Sequence, residues 1–227
     1  MARSYCHNYF HGCVVLVVVA PCYPSDGHGG AASTAQRAHM ILIADGKVVD
    51  GKIMLKIEPK LEKGPMAVVN GIVGHQTGRN VSCVRLVGVR ERCRRRAFLD
   101  RQRRANLSNG AVDEKPWHVG RLKSRCVAEH KCAAAKTWDP SGTHTRESSK
   151  SWPHRYPSNE DSIGVELVGD FDERAQKYET VTSEQNASLK WLVGELITTL
   201  RLQTTEVFRH PTVSYKRPSE ASSADWR

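Results

Sequence analysis

The chain has 227 residues, enough for one domain with a sizeable core plus tails. A hydrophobic content of 39% and a charged content of 26% exclude wholesale disorder. Residues 79–110 hold ten Arg against Glu91 and Asp100, a local +8; taken from the formal +10 this leaves +2 elsewhere, which argues against a fold-wide nucleic-acid surface.

Residues 1–39 read as an N-terminal extension and are expected to be disordered, with the folded domain spanning 40–227. The apolar run Cys13–Ala20 is too short to cross a bilayer. Arg3 before it and Ala20-Pro-Cys22 after it have the elements of a secretory signal, but His7-Asn-Tyr-Phe-His11 is unusual for one. The stretch reads better as an upstream start added to a protein beginning at Met40. Gly27 to Ala38 is Gly/Ala/Ser-rich and reads as a linker.

From Met40 the pattern becomes regular. Asp45-Gly46 between apolar runs predicts a hairpin, Lys52–Ile57 alternates like a half-buried strand, and Ala67–Gly74 reads as a buried strand ending at His75. Ser162–Gly169 is a further strand. Thr182-Ser-Glu-Gln185 has the form of a capping box, and Leu189, Leu192, Val193, Leu196, Ile197 and Leu200 follow at helical spacing. Val207–Arg209 predicts a short strand leading into His210. Strands mixed with a long covering helix predict an α/β domain with a central mixed sheet. Of seven Cys, Cys6, Cys13 and Cys22 lie in the extension, and Cys83 and Cys93 in the Arg-rich window. Cys126 and Cys132 could close a small loop disulfide or stay as free thiols, and the spacing does not choose between these.

The chemistry-bearing residues sit at strand ends. Glu166 alternates with apolar neighbours in Ser162-Ile-Gly-Val-Glu166, while His75 and His210 each follow an apolar run, with Lys216 and Glu220 close behind His210. Zinc favours His nitrogen and carboxylate oxygen and keeps a position open for water. A carboxylate could then act as general base and a Lys could stabilise developing negative charge. Singly, each is weak: a lone strand-end His is more often a hydrogen-bonded structural residue, and an isolated Lys is usually just solvated.

In combination they are more specific. Val69-Asn-Gly-Ile-Val-Gly-His75-Gln-Thr-Gly78, Trp117-His118-Val-Gly120, Ser162-Ile-Gly-Val-Glu166-Leu-Val-Gly169 and Arg209-His210-Pro-x-Val-x-x-Lys216-x-x-x-Glu220 occur in that order. Together they resemble the N-acetylmuramoyl-L-alanine amidases of the type 2 amidase / peptidoglycan recognition protein fold, over roughly Met40 to Trp226. The resemblance implies His75 and His210 as zinc ligands. It implies Glu220 as the third ligand, although the family usually has Asp or Cys there. Glu166 and Lys216 become the catalytic pair, and Trp117 and His118 line the substrate groove. The implied reaction is zinc-dependent cleavage of the amide between N-acetylmuramic acid and L-alanine in peptidoglycan, by a monomer. A muropeptide-binding module of the same fold that has lost catalysis is the alternative. Gly74 departs from the β-branched residue that commonly precedes the first His.

The interval 79–112 departs further. Where the family places a helix and a central hairpin, this chain has an Arg-rich segment without strand alternation or helical period. Read from the second nucleotide of the Ala97 codon, permitted codons for Ala97 to Val112 spell His-Phe-Leu-Ile-Asp-Arg-Asp-Gly-Gln-Ile-Tyr-Gln-Thr-Ala-Arg-Leu, close to the missing hairpin. The segment therefore reads as translated out of frame, which disrupts the hairpin and is expected to loop out because its charges cannot be buried unpaired. The window matches no groove-reading pattern, so no nucleic-acid partner is expected, nor a stable membrane span.

Overall fold

The structure, a computed structural model, describes residues 15–18, 42–44, 46–50, 53–55, 62–78, 106–108 and 113–227. Cys6, Cys13, Cys22, Cys83, Cys93, the Gly27–Ala38 linker and the Arg-rich window apart from Asn106–Ser108 lie outside the described residues.

In chain order the strands are β1 (Val15–Val18), β2 (Leu42–Ala44), β3 (Lys47–Val49), β4 (Ile53–Leu55), β5 (Gly71–Gly78), β6 (Asn106–Ser108), β7 (Ser162–Asp172), β8 (Lys177–Tyr178) and β9 (Val207–Arg209). The helices are α1 (Arg125–Ala128), α2 (Pro140–Ser148), α3 (Ser183–Leu200) and α4 (His210–Val213). The central sheet runs β4-β6-β1-β7-β5-β9, with β8 folded back on β7. Pairing is parallel for β1/β7, β5/β7, β5/β9 and β4/β6, and antiparallel for β1/β6 and β7/β8. This is the mixed α/β sheet the sequence predicts. The strands flanking the expected turn pair as well, with β2 and β3 making a separate antiparallel two-stranded sheet.

Two segments differ from expectation. Val15–Val18 belongs to the stretch read as an extension, yet its backbone pairs with β7. Asn106–Ser108 belongs to the segment expected to loop out, yet it pairs with β1 and β4. The first buried strand is also shifted: Ala67–Asn70 precedes it, and it runs past His75 to Gly78. The apolar run Ala67–Val69 therefore misplaced the strand start, since Ala67 and Val68 are exposed.

The strand period of two divides the sheet residues between two cores. Ile72, Ile163, Val165, Leu167 and Val207 face α3 and pack with its Leu189, Leu192, Val193 and Leu196, while Ile197 and Leu200 flank that cluster. Each fully buried aliphatic side chain contributes about 1.5–3 kcal/mol. The helix starts where predicted: Thr182 Oγ1 accepts from the Gln185 amide at 3.2 Å, and Gln185 Oε1 accepts from the Thr182 amide at 3.0 Å. Gln185 Nε2 also donates to Val168 O at 2.7 Å, which ties the start of α3 to β7. On the opposite face Val73 packs with Val119, Leu122, Tyr156, Val213 and Phe208. Among the described residues no helix is long and apolar enough to cross a membrane.

Gly74 lies on the α3 face of β5. A Cβ added there would meet Phe208 O at 3.6 Å and a Trp226 ring carbon at 3.8 Å, both ordinary contacts. Gly74→Ala should therefore stabilise the protein by about 0.4–1 kcal/mol, because it removes unfolded-state freedom without strain. A urea midpoint below that of the wild type would contradict this.

Candidate metal centre

Register places the site. β5 and β7 are parallel with His75 opposite Glu166, so both side chains emerge on the face away from α3, beyond Val73 and Gly164. On the other side of β5, Val73 pairs with Phe208 and Gly74 with Arg209, so the next residue of that chain, His210, arrives beside His75. There β9 gives way to the short helix α4, with Pro211 in its first turn where a missing N–H costs nothing.

His75 Nδ1 lies 2.9 Å from His210 Nδ1, and His210 Nδ1 lies 2.8 Å from Glu220 Oε1. His75 Nδ1 is 3.6 Å from the same carboxylate oxygen. All three residues are buried, and one ligand atom from each falls within a 4.8 Å cluster. The structure thus brings together the three residues expected to hold a metal, Glu220 included.

The donor chemistry fits a cation. His210 Nε2 is 2.9 Å from Val119 O, and a carbonyl only accepts, so Nε2 carries the hydrogen and Nδ1 of the neutral ring is bare. That bare nitrogen faces a carboxylate oxygen, and two acceptors so close repel unless a proton or a metal ion lies between them. A proton is disfavoured on His75. Burial above all, then the neighbouring His210, lowers its pKa to about 4, despite the hydrogen bond and charge of Glu220. Burial alone would raise the Glu220 carboxyl, but when the rings are protonated their hydrogen bonds and charges, from His210 and then His75, hold it down at about 2. Near neutral pH the cluster therefore offers an imidazole nitrogen and a carboxylate oxygen poised for a divalent ion.

Glu220 sits on a loop held from two sides. Gln76 Oε1 accepts from the Ala221 amide at 3.2 Å, while Arg209 donates to Ala221 O at 2.9 Å and to Ala224 O at 2.6 Å. Arg209 in turn stacks over Trp226, 4.9 Å from the ring centroid. These supports went unread in the sequence, although Gln76 and Arg209 each adjoin a candidate ligand His.

Glu166 keeps a partly exposed edge, and its pKa is pushed up to about 7, first by desolvation and then by the Glu220 charge. It is thus poised to exchange a proton near neutral pH. Lys216 is exposed, and its charge also acts to lower the His75 pKa. Trp117 is 51% exposed, with Lys63 Nζ 5.7 Å from its ring centroid. His118 is placed differently from its expected substrate-facing position. It is 7% exposed, Nδ1 lies 2.8 Å from His75 Nε2, and Nε2 lies 3.2 Å from Ser162 O. Both nitrogens are therefore taken by protein partners. Asn159 Oδ1 anchors this turn by accepting from the His118 and Val119 amides, at 2.9 and 2.8 Å. Farther along, Cys126 and Cys132 are joined in a disulfide with Cα atoms 5.5 Å apart, which decides between the two alternatives left open for them.

The family model described as N-acetylmuramoyl-L-alanine amidase matches residues 64–222. Comparison with curated protein sequences returns no match. Among solved structures, a selenomethionine AmpD derivative is 16% identical, with a TM-score of 0.43, over 82% of this chain and 96% of that one. AmpDh3 from Pseudomonas aeruginosa, in complex with anhydromuramic pentapeptide, is 16% identical with a TM-score of 0.42, over 70% of this chain and 58% of that one. The amidase LysC from Clostridium intestinale URNW is 14% identical with a TM-score of 0.37, over 76% and 91% respectively.

Proposed function

Because this chain belongs to the N-acetylmuramoyl-L-alanine amidase family, we propose that it is a zinc hydrolase cleaving the amide between N-acetylmuramic acid and L-alanine in peptidoglycan or its fragments. The observation that carries this reading is the meeting of His75, His210 and Glu220 in one buried cluster, with Glu166 directly across the β5/β7 register. His75, His210 and Glu220 would hold the ion, and zinc bound there supplies a Lewis acid and acidifies water.

The protein's own groups do the rest. Glu166 accepts a proton from the attacking water and returns it to the departing nitrogen, a task suited to a carboxyl that titrates near 7. Lys216 stands exposed with its positive charge available to the oxygen that becomes negative during attack. Trp117 offers a half-exposed ring surface for substrate beside the buried His118 turn.

The test measures zinc content and amidase activity on purified peptidoglycan together. Wild type should hold one equivalent of zinc, and His75→Ala and His210→Ala should each lose it along with all activity. Equal zinc content in the three proteins would reject the site. Zinc and muropeptide retention in the wild type without release of stem peptide would instead identify a binding module.

A further inference from the structure

A ligand histidine serves a metal only if the nitrogen facing the ion is bare, and a neutral imidazole can place its hydrogen on either nitrogen. For His210 the Val119 carbonyl makes that choice. For His75 the partner of Nε2 is another imidazole, His118, whose own hydrogen must first be located. Ser162 locates it. The Ser162 hydroxyl donates to Ser158 O, so its oxygen can only accept from His118 Nε2, 3.1 Å away. Ser162 O, 3.2 Å from the same nitrogen, also only accepts. Two acceptors therefore require the hydrogen of His118 on Nε2, which leaves Nδ1 bare. His75 Nε2 must then donate to it, and His75 Nδ1 is bare in turn.

We propose that His118, held by Ser162, is a positioning residue that sets the tautomer of His75 and so keeps its metal-facing nitrogen free. The alternative tautomer is close at hand. With the hydrogen on Nδ1, His75 would donate to the bare His210 Nδ1, 2.9 Å away, with Glu220 Oε1 at 3.6 Å, and occupy nitrogens that should meet the ion. The His118 acceptor at 2.8 Å on the other side of the ring competes for that hydrogen and draws it away from the His210 nitrogen. Such outer hydrogen bonds fix ring orientation and ligand basicity in metal sites generally. The serine of the Ser-Ile-Gly-Val-Glu strand and the histidine of the Trp-His pair thereby act on one ligand through a single chain of hydrogen bonds.

This inference rests on the metal-centre reading, so its test has an arm that needs no metal. In the metal-free protein at neutral pH, the ring 15N shifts of His75, assigned by comparison with His75→Ala, should report a protonated Nε2 and a bare Nδ1. His118→Leu should move the hydrogen to Nδ1, wholly or in part. In the second arm, zinc affinity measured against a chromophoric chelator should fall about 10–100-fold in His118→Leu. His118→Asn places an acceptor near the position of Nδ1 and should restore affinity to within a few-fold of the wild type. His118→Gln places its polar group near Nε2 and should not. The Asn/Gln contrast decides the matter even if the Leu variant fails to fold. An unchanged His75 tautomer in the Leu variant, or equal zinc affinity in the Asn and Gln variants, would overturn the proposal. A wild type that binds no zinc would instead defeat the proposed function, while the ring shifts would still judge the role of His118.

Discussion

Glu166→Gln should lower amide hydrolysis by about 10²–10⁴-fold, the usual contribution of a positioned general base, while zinc content stays at the wild-type level. The amide has the shape of the carboxylate but cannot take a proton from water. Glu166 is not among the residues whose atoms converge on the candidate ion, so its loss leaves that cluster intact. The carboxyl is active only when ionised, and burial with the adjacent Glu220 charge places its pKa at about 7. In wild type kcat/KM should therefore fall with unit slope on the acid side, with a midpoint at or below about pH 7, because a bound cation favours the ionised form. The residual rate of the Gln variant should lack that limb. A Gln variant that keeps wild-type turnover would remove Glu166 from the chemistry.

The same shift makes a prediction about stability. A carboxyl whose folded pKa lies above its unfolded value favours folding while protonated, and that contribution disappears as pH rises through the folded value. Here the window runs from about 4.5 to about 7. At pH 8 the metal-free wild type carries the full cost of a desolvated charge, and Glu166→Gln removes it. The variant should then be more stable by ~1–3 kcal/mol, measured by urea unfolding with chelator present. At pH 4 the difference should vanish. Activity lost and stability gained by one substitution is the signature of a group held in an unfavourable state for function.

Local rules carried much of the fold. The capping box at Thr182, the stripe on α3 and the pairing of β2 with β3 each depend on neighbours within a few residues, and each forms as read. The start of β5 was misread because an apolar run does not state which of its residues the sheet will cover; Val68 is 53% exposed. At the site, the residues of the candidate cluster were legible because the resemblance to a family joined His75, His210 and Glu220, pieces far apart in the chain, and the three come together. The ordering contacts were not. Val119 acts through its backbone carbonyl, which leaves no mark on residue identity, and Ser162 read simply as the first residue of a strand. His118 looked like a groove residue because it follows Trp117; alternation across that turn puts one outside and the other inside. The place of Val15–Val18 beside β7 depends on long-range pairing that a short apolar run cannot specify.

Glu206→Ala should cost about 3–5 kcal/mol of stability, the range for removing one partner of a buried ion pair. Glu206 is 2% exposed, immediately before β9, and accepts two hydrogen bonds from Arg125, at 2.9 and 2.7 Å. Trp152 Nε1 donates to the same carboxylate at 3.1 Å. The guanidinium lies over the rings of Tyr156 and Phe208, 5.6 and 5.7 Å from their centroids, and also pairs with Glu129 at 2.6 Å. Truncation leaves that charge with Glu129 as its remaining carboxylate and deprives an indole N–H of its acceptor, which is more damaging than losing an exposed pair. Glu206→Gln, which keeps the shape and an acceptor, should cost less. The pair Arg125→Met with Glu206→Leu should recover much of the loss, because no unpaired charge then remains. The consequence reaches the candidate metal centre, since Phe208 and His210 follow on the same short strand and α4, and a loosened β9 would misplace His210. The Ala variant should therefore bind zinc more weakly even at temperatures where it stays folded. A urea midpoint matching that of the wild type would show that this pair does not hold β9 in place.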